Sequence, residues 1–164
     1  MNPADSPTDT MHLDLPDEAA TLALGARIAS VLEPGVSIYL SGSLGAGKTT
    51  LSRGLIQALG HDGRVKSPTY TLVELYVISK LNLYHFDFYR FSDPEEWNEA
   101  GFRDLFNGTN ICLVEWPEKA GDLLPPAELN IQLSVTPAMT RSAAIQAHTP
   151  RGQVLLQALR CHMP

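Results

Sequence analysis

The sequence predicts an α/β protein built as a three-layer sandwich. Its central sheet is mostly parallel with antiparallel additions, and its helices are few. Three observations carry that expectation. Gly42-Ser43-Leu44-Gly45-Ala46-Gly47-Lys48-Thr49 matches G-x-x-x-x-G-K-[ST], a phosphate-binding P-loop. An apolar, β-branched run precedes it and a helical pattern follows it, which is the context the motif needs. Two further apolar runs each deliver a carboxylate to a strand end, at Asp87 and at Glu115.

Residues 1–12 are rich in Pro, Asp, Ser and Thr and are expected to be disordered; residues 13–164 are expected to form a single P-loop domain. Pro16-Asp17-Glu18 marks a helix start, with Pro at the first helical position and acids in the first turn. Leu24, Ile28, Val31 and Leu32 supply its apolar face, and Pro34-Gly35 ends it. Val36–Leu40 is the buried strand before the glycine loop. After the loop, Leu51, Leu55 and Leu59 recur every four residues, with Gly60 closing the helix.

A polar loop spans His61 to Pro68. Thr69–Val73 and Leu75–Ile78 are β-rich, and Leu81–Tyr89 is a further strand ending in His85-Phe86-Asp87-Phe88-Tyr89-Arg90. Asp93-Pro94-Glu95-Glu96 is a clear helix start, with Asp as cap and Pro next, and Gly101 closes that short helix. Phe102–Phe106 predicts another turn. Asn110–Trp116 predicts a short buried strand that stops at Pro117. Leu129, Ile131, Leu133 and Val135 alternate with polar residues, and Ala143, Ile145 and Ala147 do so more weakly. A hairpin through Pro137–Arg141 would pair the two strands. Thr149-Pro150 opens a last helix carrying Leu155 and Leu159.

The loop's chemistry follows from its residue types. Its glycines let the backbone curl so that successive N–H groups face phosphate oxygens, and the helix N-terminus adds partial positive charge. Lys48 would reach the β- and γ-phosphates, and the Thr49 hydroxyl would be a Mg²⁺ ligand. Such a site needs a carboxylate near the metal. Glu115 and Asp87 both qualify, because strand C-termini line the ligand crevice of a parallel sheet.

The net charge of −6 and the pI near 5.2 argue against a broad nucleic-acid footprint, so contact with RNA is expected through a partner. No apolar run reaches the ~18 residues of a membrane span, and Met1–Thr10 lacks a basic-then-apolar signal pattern. Cys112 lies in the apolar run Ile111–Val114 and Cys161 in the tail, consistent with a reduced, cytoplasmic setting.

Four strings occur in order: Gly42-x-Leu44-Gly45-Ala46-Gly47-Lys48-Thr49-Thr50, Lys66-Ser67-Pro68-Thr69-Tyr70-Thr71-Leu72-Val73-Glu74, His85–Arg90, and Leu113-Val114-Glu115-Trp116-Pro117-Glu118. From about Leu15 to about Leu159 the chain resembles the TsaE family, formerly YjeE. That resemblance implies a P-loop ATPase using ATP and Mg²⁺. Members serve the threonylcarbamoyl modification of tRNA adenosine just 3′ of the anticodon, acting with TsaB and TsaD. TsaC makes the activated donor upstream. The resemblance implies that Thr49 and Glu115 hold Mg²⁺, with Asp87 close to the metal and γ-phosphate. Ser67 and Thr69 would lie in a γ-phosphate-sensing loop. It also places Trp116 beside the nucleotide, Thr21 on the adenine side, and Arg141 near the nucleotide. One departure stands out: Ser43 occupies a position where the family usually has Asp.

The competing expectations are a P-loop kinase of a small metabolite, a GTPase and a nucleotide-dependent binding module. A kinase would want an arginine-rich lid, and none is visible. No N-K-x-D base-reading motif for guanine occurs. A binding module partly merges with the family reading, since a slow ATPase that resets a complex is both.

Overall fold

The expected strand–loop–helix unit is present. In the computed structural model, which describes residues 9–161, β2 (Ser37–Ser41) runs into the glycine loop and α2 (Lys48–Ala58) leaves it. Around this unit the chain places β1 (Thr10–Leu15), α1 (Glu18–Val31), β3 (Val73–Ile78), β4 (Leu81–Asp87), α3 (Pro94–Ala100), β5 (Ile111–Glu115), β6 (Leu129–Val135), β7 (Arg141–Ala147) and α4 (Pro150–Cys161).

The strands form one seven-stranded sheet in the order β1-β7-β6-β2-β5-β4-β3. The pairs β6–β2, β2–β5 and β5–β4 are parallel. The pairs β1–β7, β7–β6 and β4–β3 are antiparallel. A parallel middle with antiparallel margins is therefore the observed architecture, as expected from the sequence.

Alternation along the central strands sorts side chains to two cores. Ile38, Leu40, Leu83, Ile111 and Leu113 pack on the face that also carries Leu24, Ile28, Leu51 and Leu55 of α1 and α2. Tyr39, Phe86, Cys112 and Val114 face the other way, against Phe88, Trp97 and Phe102. That second core is aromatic, with Phe86 and Phe102 edge to face at 5.5 Å. Cys112 is fully buried there, and both cysteines are free thiols.

The helices α1 and α2 meet backbone to backbone. A Cβ added at Gly25 would lie 2.3 Å from the Leu51 carbonyl oxygen, and one at Gly54 would lie 2.4 Å from that of Leu22. Only glycine fits at this crossing. The close approach brings α1 alongside the glycine loop, and Thr21 Cγ2 lies 3.5 Å from where a Gly47 Cβ would be.

Four expectations are corrected. The disordered segment was expected to reach residue 12, but Thr10–His12 belong to β1; residues 1–8 lie outside the described residues. Met11, Leu13 and Leu15 alternate, Met11 and Leu15 are buried, and the strand pairs with β7 from Thr10↔Gln146 to Leu15↔Arg141. The first helix starts two positions later than expected, at Glu18 rather than Pro16, with Asp17 as its cap residue. The Asp17 carboxylate caps it by accepting the Ala20 N–H at 2.8 Å. Thr69–Leu72 leave the sheet, because Leu72 takes a left-handed φ of 69° and closes a turn by donating its N–H to the Pro68 carbonyl at 2.7 Å. The strand expected over Leu81–Tyr89 ends at Asp87. By contrast, the Asp93 cap, Pro94 at the helix start and the left-handed Gly101 stop of α3 are all observed.

Candidate functional site

The site begins at an uncapped helix. Gly47 precedes α2 with a left-handed φ of 109°, no side chain caps the helix N-terminus, and its first turn carries no acid. Its free N–H groups and dipole are therefore available to an anion. Gly42 is tight for another reason: a Cβ there would sit 2.5 Å from the Leu133 carbonyl oxygen.

Lys48 is 4% exposed. Its Nζ donates to the carbonyls of Gly42 at 2.6 Å and Ser43 at 2.9 Å, and lies 4.1 Å from the centre of the Trp116 ring. Burial pushes its pKa down, opposed by the charges of Glu115, Glu118 and Asp87.

The two carboxylates arrive by register. In the parallel β4–β5 pair Asp87 stands beside Glu115, and Leu40 of β2 flanks Glu115 on the other side. Glu115 is 1% exposed. Thr49 Oγ1 donates to its Oε1 at 2.9 Å, and His85 Nε2 meets its Oε2 at 2.6 Å. Asp87 accepts the Tyr89 N–H on Oδ1 at 2.9 Å and the Thr69 hydroxyl on Oδ2 at 3.2 Å. Thr69 in turn meets the Ser67 hydroxyl at 2.7 Å. Burial pushes the Asp87 carboxyl above the usual range and Glu115 adds to the rise, while the Tyr89 N–H, Thr69 and His85 oppose it.

These groups face one cleft of about 330 Å³. It is lined among others by Lys48, Thr49, Ser67, Thr69, Asp87 and Glu115. A second cleft of about 230 Å³ adjoins it, shares Gly45, Gly47 and Thr50, and contains Thr21 and Arg141. Arg141 Nε donates to the Gly45 carbonyl at 3.2 Å, which ties the β6–β7 hairpin to the glycine loop. Trp116 lines the first cleft from a left-handed turn with φ of 58°. Leu44 also lines it and is 74% exposed.

Three residues of the motif stand apart from both clefts. Ser43 is exposed, Ala46 is fully buried, and Gly42 takes part through its carbonyl. Sequence reasoning overlooked Tyr89, whose ring lies 5.0 Å from that of Trp116 on the cleft wall. It also overlooked Leu15, Pro16 and Met139 in the second cleft. Tyr89 is two residues beyond Asp87, and that spacing was the available signal. The second cleft could not be seen without β1.

A glycine loop between β2 and α2, set at the carboxyl ends of the parallel strands, places the molecule in the class of P-loop NTPase folds. Comparison with known proteins narrows this. The family model described as threonylcarbamoyl adenosine biosynthesis protein TsaE matches residues 15–143. A tRNA threonylcarbamoyladenosine biosynthesis protein TsaE of Haemophilus influenzae is 45% identical over 149 residues, covering 88% of this chain and 94% of that protein. The protein of the same name from Bacillus subtilis is 35% identical, covering 87% of this chain and 89% of its own. The crystal structure of Bacillus subtilis YdiB superposes with a TM-score of 0.80 at 28% identity, covering 96% of this chain and 99% of its own. The chain belongs to the TsaE family, which functions in the biosynthesis of threonylcarbamoyladenosine in tRNA. Among the described residues no helix is long and apolar enough to cross a membrane.

Proposed function

We propose that this protein is a Mg²⁺-dependent ATPase that works as a nucleotide-driven switch in tRNA threonylcarbamoylation. The observation that carries this is the Thr49–Glu115 pair, held 2.9 Å apart at the uncapped end of α2 in the cleft that also holds Lys48 and Asp87. A hydroxyl and a carboxylate are hard oxygen donors that suit Mg²⁺. Among the described residues no three His, Cys, Asp or Glu side chains are set to hold an ion by themselves. Phosphate oxygens and waters would complete its shell, as expected of a metal that arrives with a nucleotide. When bound, Mg²⁺ would neutralise charge between the β- and γ-phosphates.

The chain's own groups would do the rest. The N–H groups of the loop and of α2 cradle the phosphates. Lys48 exchanges its carbonyl partners Gly42 and Ser43 for phosphate oxygens. The second cleft takes the adenosine end, between Thr21 and Arg141. The Ser67–Thr69–Asp87 hydrogen-bond chain links the cleft to the loop before β3. A γ-phosphate arriving there would reorder that loop and so alter the surface offered to a partner. TsaB and TsaD homologues are the partners the family resemblance implies. The acidic chain would meet tRNA only through that complex, in the cytoplasm.

The test is phosphate release and retention on a TsaB–TsaD-type complex with ATP, ADP and no nucleotide. Slow turnover alone, faster turnover with the complex and tRNA, and tighter retention with ATP are expected. Equal retention in all three states would refute the switch. Fast, partner-independent phosphoryl transfer to a small metabolite would make the protein a kinase.

A further inference from the structure

His85 is two residues before Asp87 on β4, so both side chains lie on the same face of the sheet. Asp87 is level with Glu115 and His85 is level with Leu113, one step deeper. It is fully buried and does not line the cleft. Its strand neighbour on that face is Leu83, also fully buried. An apolar residue is the ordinary occupant of such a position. The imidazole has one partner only: Nε2 meets Glu115 Oε2 at 2.6 Å, while Nδ1 has none among the described residues.

An acceptor carboxylate requires Nε2 to carry the proton. That tautomer also leaves Nδ1 a bare lone pair rather than a stranded donor, so the network assigns it. The arrangement gives the imidazole little stabilisation of its own, since half its polar capacity is unused. Glu115 is the group that gains. Its carboxylate is 1% exposed at the residue level, with one oxygen held by His85 and the other facing Thr49.

We infer that His85 is a positioning residue that grips Glu115 Oε2 from beneath the cleft and thereby presents Oε1 beside the Thr49 hydroxyl for the nucleotide's metal. This rests on the metal reading given above. Without the grip, Glu115 keeps its place on β5 but loses the contact that fixes its carboxylate plane. Hydrogen-bond partners of ligating carboxylates typically contribute 10–100-fold in metal affinity or activity.

The experiment is equilibrium binding of an ATP analogue by calorimetry, in EDTA and across a Mg²⁺ titration. The proteins are the parent, His85→Leu, His85→Gln and Glu115→Ala, each checked for a cooperative melt. His85→Leu removes the donor at similar volume; His85→Gln places an N–H near the lost Nε2. In EDTA the His85 variants should bind the analogue as the parent does. The Mg²⁺ midpoint should rise about 10–100-fold in His85→Leu and return close to the parental value in His85→Gln. If His85→Leu does not fold, His85→Asn, too short to reach Oε2, replaces it and should show the same rise. A parental midpoint in His85→Leu, or a rise in His85→Gln equal to that in His85→Leu, overturns the inference. A rise in Glu115→Ala alone leaves the metal reading standing and removes His85 from it. No rise in Glu115→Ala overturns both.

Discussion

The α1–α2 crossing offers a direct test of how the fold sets the site. In Gly54→Ala the new methyl would lie 2.4 Å from the Leu22 carbonyl oxygen and 2.9 Å from its Cα, where ordinary contact begins at 3.4 Å. Both atoms are backbone, so the helices must part by about 1 Å at the crossing rather than turn a side chain aside. Overpacking of this kind costs ~1–3 kcal/mol, and an unyielding backbone neighbour places it in the upper part of that range. Alanine offsets ~1 kcal/mol through its better helix propensity. The net expectation is a loss of ~1–2 kcal/mol, or ~2–8 °C in melting temperature for a chain of this size. Urea unfolding would read it. Gly25→Ala should act similarly, and the double variant should lose less than the sum, since one separation relieves both clashes. Adenine-nucleotide affinity should also fall while the variants are folded, because Thr21 moves away from the glycine loop with α1. A Gly54→Ala protein as stable as the parent, or more so, would refute the close-packing argument and with it the coupling of α1 to the loop.

Three further outcomes are expected. Lys48→Ala should weaken ATP binding by ~10–100-fold, the range of a hydrogen bond to a charged group, and unchanged affinity in calorimetry would count against the phosphate role. Asp87→Asn, measured in EDTA, should unfold at higher urea than the parent at pH 7. A carboxyl raised in the folded state above its ordinary 3.8 binds its proton more tightly when folded, so stability falls as pH rises through that window. The difference should shrink as pH approaches 3.8, and a less stable Asp87→Asn at pH 7 would contradict the burial argument. Ser43→Asp should change ATP affinity by less than about tenfold, ~1.4 kcal/mol, because the Ser43 side chain is exposed and outside both clefts; a larger loss would show a rearranged loop.

The parts of this protein that were legible in sequence are those whose chemistry is local. The glycine loop, the Asp93–Pro94 start of α3 and its Gly101 stop each sit within a few residues, and each is where it was expected. Asp87 and Glu115 were also legible, because an apolar run before a carboxylate describes a parallel strand ending at a crevice. What the residues could not state was register. Whether Asp87 stands beside Glu115 or two residues away depends on how β4 aligns with β5. The string His85–Arg90 therefore left His85 without a role, although its Nε2 meets Glu115 Oε2 at 2.6 Å.

Strand β1 failed for the opposite reason. Thr10–Leu15 carries a period-two pattern, but six residues beside a Pro-, Ser- and Asp-rich segment are weak support for a strand. Its stability comes from β7, more than a hundred residues away in sequence, through the pairing Thr10↔Gln146 to Leu15↔Arg141. That long-range ladder has a consequence for the site. It brings Leu15 and Pro16 to the mouth of the second cleft, opposite Met139 and Arg141 of the hairpin. The glycine-loop end of the crevice is thus made by short-range geometry around β2 and α2, and the other end by contacts between β1 and the β6–β7 hairpin. Perturbing β1 should then loosen the hold on the base while leaving the phosphate cradle intact, a separation that comparing ATP with tripolyphosphate binding would reveal.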